Sequence, residues 1–289
     1  MENKRVESIE QALDAKDVDS KTFQKSTNDE KLTTATNTGI AIGLTEISGR
    51  YGESAKEFLV ALDGVDNATG KTLHRSLKDI AKYKINPEFE EQNLKQQAGY
   101  SAEISSVAKK NAENIINNKQ ARYTRTDDLG SVNDQFVDIV ALDGSEAIQM
   151  KMVGNNPQGC LDTLSKSNYE KYLYSDKVSS IEIPKEYFAD VKILCDSKIQ
   201  NLTEQIQTMQ KRGVSPEVIE KIKKQLEKYK LIKEKISESE LTIGDALEAR
   251  QNPEKYTYKQ MARNSHRAGL RGAKIGRPAT ESNSFCVIP

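Results

Sequence analysis

Two short apolar runs, 136–142 and 147–153, flank an Asp-Gly-Ser turn and predict a β-hairpin. If the Asp and the Gly form a two-residue loop, Asp138 lies opposite Gln149. Side chains alternate between the two faces of a strand, so Asp138, Gln149 and Lys151 share one face. A four-residue loop shifts the pairing by two residues and leaves these faces unchanged. The opposite face carries the apolar side chains that the hairpin is expected to bury: Val137, Ile139, Ala141, Ile148, Met150 and Met152.

Apolar residues at helical spacing dominate the chain before the hairpin. Helices are predicted over 53–62 and 71–83, within a helical subdomain at 36–86, and over 88–118. A polar connection at 122–130, rich in Arg and Asp, leads from the last of these helices to the hairpin. Glu103 flanks the apolar stripe of the third helix. From that position its side chain either reaches over the end of the sheet or remains a solvated helix glutamate.

After the hairpin, residues 196–238 show the apolar spacing of two helices of coiled-coil type. Gly213 is suited to end the first helix, Ser215 to cap the second, and Pro216 to occupy its first position. We therefore expect a long antiparallel helical hairpin. Its residues 197–236 are expected to contact the sheet domain, a second copy of the chain or another protein.

A basic segment follows at 255–277, with seven Lys or Arg residues and no Asp or Glu. On a helix, five of these residues form one stripe, because they are three or four positions apart. A stripe of like charges repels itself, which favours contact with phosphates over plain solvation. The candidate nucleic-acid-binding residues are Lys259, Arg263, Arg267, Arg271 and Lys274.

A second basic segment lies between the two helical regions. Tyr169, Tyr172 and Tyr174 alternate there with Lys166 and Lys171. Aromatic rings interleaved with lysines are typical of surfaces that stack bases and hold phosphates. The same pattern is also typical of a half-buried amphipathic surface, and the sequence leaves both interpretations open.

Composition narrows the chemistry. The 289 residues are 36% hydrophobic and 30% charged with no Trp, which indicates a modest core with long solvated helices. The net charge is zero, so any nucleic-acid surface must be local. The three Cys and two His residues have neither disulfide nor zinc-site spacing, and neither His lies near a nucleophile motif. No signal peptide or membrane-spanning run is visible, so we expect a cytoplasmic protein.

The pattern Asp138…Gln149-Met150-Lys151 resembles the core of PD-(D/E)XK nucleases, in the variant that has Gln at the Glu position. That fold also carries an acidic residue on a helix before the hairpin, and Glu103 lies at a matching distance. The segments GYSAE, NDQFVDI and IQMK, in this order, resemble restriction-endonuclease-like proteins of mobile elements. The resemblance covers roughly residues 88–190.

The resemblance implies a metal-dependent DNA endonuclease, of a mobile element or a phage-defence system. Asp138 and Gln149 would hold Mg²⁺, or Mn²⁺ in its place, with Glu103 completing the site and Asp134 as the reserve ligand. Lys151 would position the water that attacks the phosphodiester. Replacing Glu by Gln removes one negative charge, so the affinity for metal is expected to be lower.

The expected fold is therefore α/β, a restriction-endonuclease-like mixed sheet flanked by helices. The rival hypothesis is a non-catalytic interaction or scaffold protein that acts through the helical hairpin and the basic helix. The predicted regions are a mobile polar N-terminus at 1–35, the helical subdomain at 36–86, the nuclease-like core at 87–195, the helical hairpin at 196–238, a basic helical segment at 239–277 and a tail at 278–289.

Overall fold

Helices cover both faces of a five-stranded mixed sheet in this protein. The structure is a computed structural model that describes residues 49–66 and 69–275, the last five of these without their side chains. The expected mixed α/β class with helices flanking a sheet is confirmed. The predicted N-terminal region at 1–35 and the tail at 278–289 lie outside the described residues.

The strands form a two-stranded ribbon and the main sheet. Strand β1 pairs antiparallel with β2, and the main sheet has the order β3-β4-β5-β6-β7. In the main sheet β3, β4 and β5 are antiparallel neighbours, whereas β5, β6 and β7 are parallel. The bounds are β1 Val65–Asp66, β2 Lys71–Thr72, β3 Tyr123–Arg125, β4 Ile139–Ala141, β5 Ala147–Met150, β6 Ser180–Ile183 and β7 Ile236–Glu238.

The helices occupy most of the remaining described chain. No described helix is both long enough and apolar enough to span a bilayer. Short 3-10 turns lie at Pro87–Phe89, Thr126–Leu129 and Ser167–Tyr169. The α-helices are α1 over 49–63, α2 Leu77–Ala81, α3 Glu90–Ile116, α4 Pro157–Leu164, α5 Glu170–Leu173, α6 Lys185–Lys211, α7 Pro216–Lys235, α8 Ile243–Gln251 and α9 Pro253–Ile275.

The β4–β5 hairpin has the predicted register, with Ile139 opposite Ile148 and Val140 opposite Ala147. Its loop is longer than the two residues first considered. The amide of Ala141 donates to the Glu146 carbonyl at 2.9 Å, which leaves the four residues 142–145 in the loop. The shift by two residues expected for a four-residue loop does not occur, because the loop gains one residue on each side of Asp143-Gly144. A side-chain turn shapes this loop, because the Asp143 carboxylate accepts hydrogen bonds from the Ser145 amide and hydroxyl.

One face of the sheet packs on α3 and α8. Its apolar contacts join Ile139, Ile148 and Met150 of the hairpin to Ala98 and Ala102 of α3. A helix residue as small as Ala lets the helix axis lie close to the sheet. The helix that carries Glu103 is therefore held directly against the hairpin.

The same face contains a buried ion pair. Glu182 of β6 is 3% exposed, and Lys110 of α3 lies 2.6 Å from its carboxylate. The Ser106 hydroxyl donates to the same carboxylate at 3.5 Å. Burial raises the pKa of Glu182, while the positive charge of Lys110 lowers it. This pair fixes α3 against the parallel part of the sheet.

The opposite face packs on α4, α6 and α7. Ile181 and Ile183 of β6 contact this layer, together with Leu161 of α4, Val191 of α6 and Ile232 of α7. The α6 and α7 helices also pack on each other, and Lys233 of α7 forms an ion pair with Asp196 of α6 at 2.5 Å. The two long helices are thus anchored in the core by their sheet-proximal ends.

The predicted helix over 71–83 is wrong in its first half. Lys71–Thr72 forms strand β2, and the helix begins only at Leu77, where Ser76 and Asp79 make a reciprocal capping box. The helix before the hairpin begins at Glu90, so Glu103 lies in its middle. The described part of the 36–86 region packs on α3, α8 and α9 through Phe58, Leu77 and Ile80.

Candidate active site at the end of the hairpin

Three of the predicted site residues meet where β4 begins and β5 ends. Asp138 directly precedes β4, Gln149 is the third residue of β5, and Lys151 follows its last residue. The backbone of Asp138 is fixed on both sides. Its amide donates to the Ile148 carbonyl at 2.9 Å, and its carbonyl accepts from the Thr126 amide at 3.0 Å. The position of this carboxylate is therefore set by the sheet itself.

The Asp138 carboxylate is the centre of the site. Its Oδ2 atom accepts a hydrogen bond from the Met150 backbone amide at 2.8 Å and another from the Gln149 side-chain Nε2. Lys151 Nζ lies 3.9 Å from the same oxygen. Burial raises the pKa of Asp138, and the nearby Lys151 ammonium and Met150 amide oppose that rise.

Gln149 is 1% exposed and brings an unsatisfied acceptor into the site. Its Nε2 donates to Asp138, but its Oε1 has no hydrogen-bond partner among the described residues. A buried carbonyl oxygen without a partner costs about 1–3 kcal/mol. The oxygen is therefore an available ligand for a cation or a donor.

Lys151 is fixed from two directions. Its backbone amide donates to the Glu182 carbonyl at 2.8 Å, which holds this residue beside β6. Its Nζ lies 3.9 Å from Asp138 Oδ2 and 4.9 Å from the centroid of the Tyr172 ring. The side chains of Lys151 and Asp138 are 18% and 17% exposed, so both reach solvent. A solvent-borne phosphate can therefore approach the ammonium.

Glu103 joins this group from α3. Its side chain is half-buried, and burial of the carboxyl raises its pKa to about 8. The negative charge of Asp138 is the next cause of the rise, and the charges of Arg125 and Lys151 oppose it. The two carboxyl groups are thus close enough to interact electrostatically. The structure brings Glu103, Asp138, Gln149 and Lys151 into one neighbourhood.

Two further charged residues surround the site. Asp127 lies in the turn after β3, and its charge raises the pKa of both Glu103 and Asp138. Arg125 is 2% exposed, forms a bidentate ion pair with Asp128 and donates to the Arg75 carbonyl at 3.0 Å. The sequence showed only a polar segment rich in Arg and Asp here, which does not single out either residue.

Asp134, the reserve ligand, already has a structural role. Its Oδ1 accepts from the backbone amides of Phe136 at 2.8 Å and Val137 at 3.0 Å. These hydrogen bonds lower the pKa of Asp134. The side chain thereby shapes the turn that leads into β4, with one carboxylate oxygen engaged in that turn.

The donor set fits Mg²⁺ better than a softer metal. Two interacting carboxyl groups and an unsatisfied amide oxygen are hard ligands, and Mg²⁺ commonly binds one or two carboxylates with water and phosphate in its other positions. Among residues 49–66 and 69–275, no three Asp, Glu, His or Cys side chains cluster as a metal site by themselves. Any cation here would use Glu103, Asp138 and the Gln149 Oε1 atom.

The basic stripe on α9 is largely paired within the protein. Lys259 lies 2.5 Å from Glu248 of α8, and Arg263 lies 3.6 Å from Asp245 of the same helix. Arg267 lies 2.7 Å from Glu113 of α3. The side chains of Arg271 and Lys274 lie outside the described residues. The expectation that the stripe binds phosphates assumed that its charges repel one another without partners. For Lys259, Arg263 and Arg267 this assumption is wrong.

Comparisons of the chain with protein-family models, with curated proteins and with solved structures find no match.

Proposed function

We propose that the protein is a Mg²⁺-dependent nuclease that hydrolyses phosphodiester bonds of DNA through Glu103, Asp138, Gln149 and Lys151. The observation that carries this proposal is the convergence of Gln149 Nε2, the Met150 amide and Lys151 Nζ on Asp138 Oδ2 at the hairpin end. The charge of Asp138 also acts on Glu103, from the helix before the hairpin. The strand pairing brings Gln149 and Lys151 to the same carboxylate. The resemblance of the sequence to PD-(D/E)XK nucleases supports the proposal at the same four positions.

The chain's own groups have distinct tasks in this proposal. Asp138 and Glu103 supply negative charge for the cation, and the unpartnered Gln149 Oε1 supplies a neutral ligand. Bound Mg²⁺ would offset the negative charge that develops on the phosphate. The Lys151 ammonium orients the attacking water by donating a hydrogen bond to it, and it stabilises the charge on the scissile phosphate.

Lys151 is held in place for this task by its surroundings. The Tyr172 ring and the Asp138 carboxylate flank its ammonium, so its position does not depend on a bound substrate. An ammonium group donates hydrogen bonds to water and phosphate but has no lone pair to accept a proton, so the role proposed for Lys151 is that of a donor and not of a general base.

Cleavage of labelled single-stranded and duplex DNA with Mg²⁺ or Mn²⁺, and with EDTA as the blank, tests the proposal. Lys151→Ala should lose cleavage but keep Mg²⁺ binding measured by calorimetry. Asp138→Asn should lose both, while circular dichroism shows an intact fold, because an Asn oxygen can still accept from the Met150 amide. Lys192→Ala on α6 removes the same charge from another lysine–aromatic pair and should cleave normally. Wild-type cleavage by Asp138→Asn contradicts the proposal.

A non-catalytic interaction protein is the second candidate. The observation that favours it is apolar exposure on the two long helices, where Ile193 of α6 is 63% exposed and Val218 of α7 is 40% exposed. Each of these exposed apolar side chains can pack against a partner protein or a second copy. Two results together would support this function instead. The wild type would not cleave with either metal ion, and it would self-associate in a concentration-dependent way that Ile193→Ser abolishes.

A further inference from the structure

Lysines and aromatic rings alternate on the surface beside Lys151. The patch consists of Phe136, Lys171, Tyr172 and Lys177, and we call it the lysine–aromatic patch. Lys171 Nζ lies 4.9 Å from the Tyr172 ring centroid and 5.8 Å from that of Phe136. Lys177 Nζ lies 5.2 Å from the Phe136 centroid. Since Lys151 also lies 4.9 Å from Tyr172, the contacts continue without a break into the candidate active site.

Three separate parts of the chain build this patch. Phe136 belongs to the turn before β4, Lys171 and Tyr172 to α5, and Lys177 to the loop before β6. The Phe136 turn is held by the Asp134 carboxylate, and Tyr172 packs on the core layer under α4 and α7. The rings therefore sit on supported backbone, whereas the lysines are exposed.

The cations of the patch are available, unlike those of the α9 stripe. Neither Lys171 nor Lys177 has a carboxylate of a described residue within 4.0 Å. Asp134 is the acidic residue whose pKa responds to the charge of Lys177, and its oxygen is engaged by backbone amides. By contrast, Lys259 of the stripe lies 2.5 Å from Glu248. A phosphate that approaches the patch would therefore pair with ammonium groups that have no carboxylate partner among the described residues, whereas at the α9 stripe it would have to compete with a carboxylate.

We propose that the lysine–aromatic patch binds an unpaired strand of nucleic acid and leads it to Lys151. The inference rests on the proposed nuclease function, and it names an unpaired strand or a frayed end as the form of substrate that the site takes. Bases would stack on Phe136 and Tyr172, and Lys171 and Lys177 would pair with the flanking phosphates.

Stacking favours this exchange of partners. A solvent-exposed cation–π contact contributes less to binding than the stacking of a base on an aromatic side chain does. A base that displaces a lysine from a ring thus gains more than is lost, and the displaced ammonium is then free to pair with a phosphate.

The preference for an unpaired strand follows from the rings. In a duplex the faces of the bases are covered by their neighbours, so a base must first unpair and unstack before it can stack on a protein ring. An unpaired strand offers its bases without that cost. A surface that used lysines alone would not discriminate in this way, because both forms present phosphates.

Fluorescence anisotropy with one labelled oligonucleotide, single-stranded or annealed to its complement, tests the inference in EDTA, where no metal-dependent cleavage occurs. For the single strand, we plot the logarithm of the binding constant against the logarithm of the salt concentration. Lys171→Gln/Lys177→Gln should reduce the slope of this plot by about 1.4, since each lost phosphate contact removes about 0.7. Tyr172→Leu should weaken binding by about fivefold or more, whereas Tyr172→Phe should not, because it keeps the ring.

The matched control is Lys192→Gln/Lys198→Gln on α6. It removes the same net charge, and Lys192 also lies 4.8 Å from an aromatic centroid, that of Phe188. The control should bind like the wild type. Any of four results would overturn the inference: the control weakens binding as much as the patch variants do, the patch variants bind like the wild type, the duplex binds more tightly than the single strand, or the wild type does not bind.

The inference and the proposed function can fail separately. Binding of the single strand through the patch without any cleavage in Mg²⁺ or Mn²⁺ refutes the nuclease and retains the patch. In the opposite case, Lys151→Ala abolishes metal-dependent cleavage, but the patch variants bind and cleave a single strand like the wild type. That result supports the proposed nuclease function and refutes the role of the patch.

Discussion

The raised pKa of Glu103 makes the stability of the protein depend on pH in a way that Glu103→Gln should remove. The folded protein keeps this carboxyl protonated up to a pKa of about 8, whereas an unfolded chain ionises it near the ordinary value of 4.5. Between these values the folded state binds more protons than the unfolded state. In the absence of metal, the contribution of Glu103 to the free energy of unfolding is therefore complete below pH 4.5 and falls as the pH rises toward 8.

The size of this effect follows from the same two values. At about 1.36 kcal/mol per pKa unit, the difference between 4.5 and about 8 sets a ceiling near 5 kcal/mol. The side chain is only half-buried and its charge is partly screened by solvent, so we expect about 2 kcal/mol. The glutamine side chain of the variant does not ionise. The variant should therefore match the wild type near pH 4.5 and be about 2 kcal/mol more stable than it near pH 8.

Urea unfolding in EDTA, followed by circular dichroism across this pH range, measures the difference. Glu113→Gln is the matched control on the same helix. Glu113 makes a half-exposed ion pair with Arg267, so its loss should change the free energy of unfolding by less than about 1 kcal/mol at every pH. Parallel pH dependences for wild type and Glu103→Gln would refute the assignment of Glu103 to a half-buried site that interacts with the charge of Asp138.

Three further predictions concern the buried ion pair, the candidate ligand Gln149 and the cations of α9. Lys110→Met leaves the buried carboxylate of Glu182 without its partner. The free energy of unfolding, measured by urea titration, should therefore fall by about 3 kcal/mol. A loss below about 1 kcal/mol would show that the pair is solvated. Gln149→Glu adds a charged ligand and should give a larger rise in melting temperature on addition of Mg²⁺ than the wild type shows. Arg263→Gln/Arg267→Gln should reduce the slope of DNA affinity against salt concentration by less than one, because both cations are already paired within the protein. A reduction near two would show that α9 binds the nucleic acid.

The hairpin was the most predictable element of the fold. Alternation of apolar and polar residues specifies the register of a strand pair, because a slip by one residue would expose the whole apolar face. The structure accordingly has Ile139 opposite Ile148, as expected. The length of the loop was less predictable, since it depends on local hydrogen bonds of the Asp143 side chain that the apolar pattern does not reveal.

Strand β3 shows what local patterns do not reveal. It is three residues long in a polar segment, and its backbone is held by a residue of α3: Asn111 accepts from the Tyr123 amide at 2.7 Å and donates to the Tyr123 carbonyl at 3.0 Å. The same strand places Asp127 at the site, because the Thr126 amide and hydroxyl after it bond to the carbonyls of Asp138 and Val137. These contacts join residues that are distant in sequence.

The ion pairs of the α9 stripe were unpredictable for the same reason. Its five positions were correctly expected to follow one helix, but the sequence gives no sign that Glu248, Asp245 and Glu113 face it. Two of these acids lie on the preceding helix and one on α3. A charge pattern within one helix therefore predicts a stripe, and only the packing of the other helices determines whether its charges are available to a ligand.

The amide at position 149 gives the Asp138 carboxylate a donor within the protein itself. Asp138 is half-buried, and the Gln149 amide supplies a hydrogen bond that a carboxylate in its place would not. The same hydrogen bond holds the amide nitrogen toward Asp138 and leaves the Oε1 atom without a partner among the described residues. In the proposed function this oxygen is a neutral ligand, so a cation would meet one negative charge fewer here than at a carboxylate in the same position. Gln149 thus combines a donor that holds the Asp138 carboxylate with an acceptor open to a cation, and the expected consequence is a lower affinity for Mg²⁺ than the Gln149→Glu variant would show.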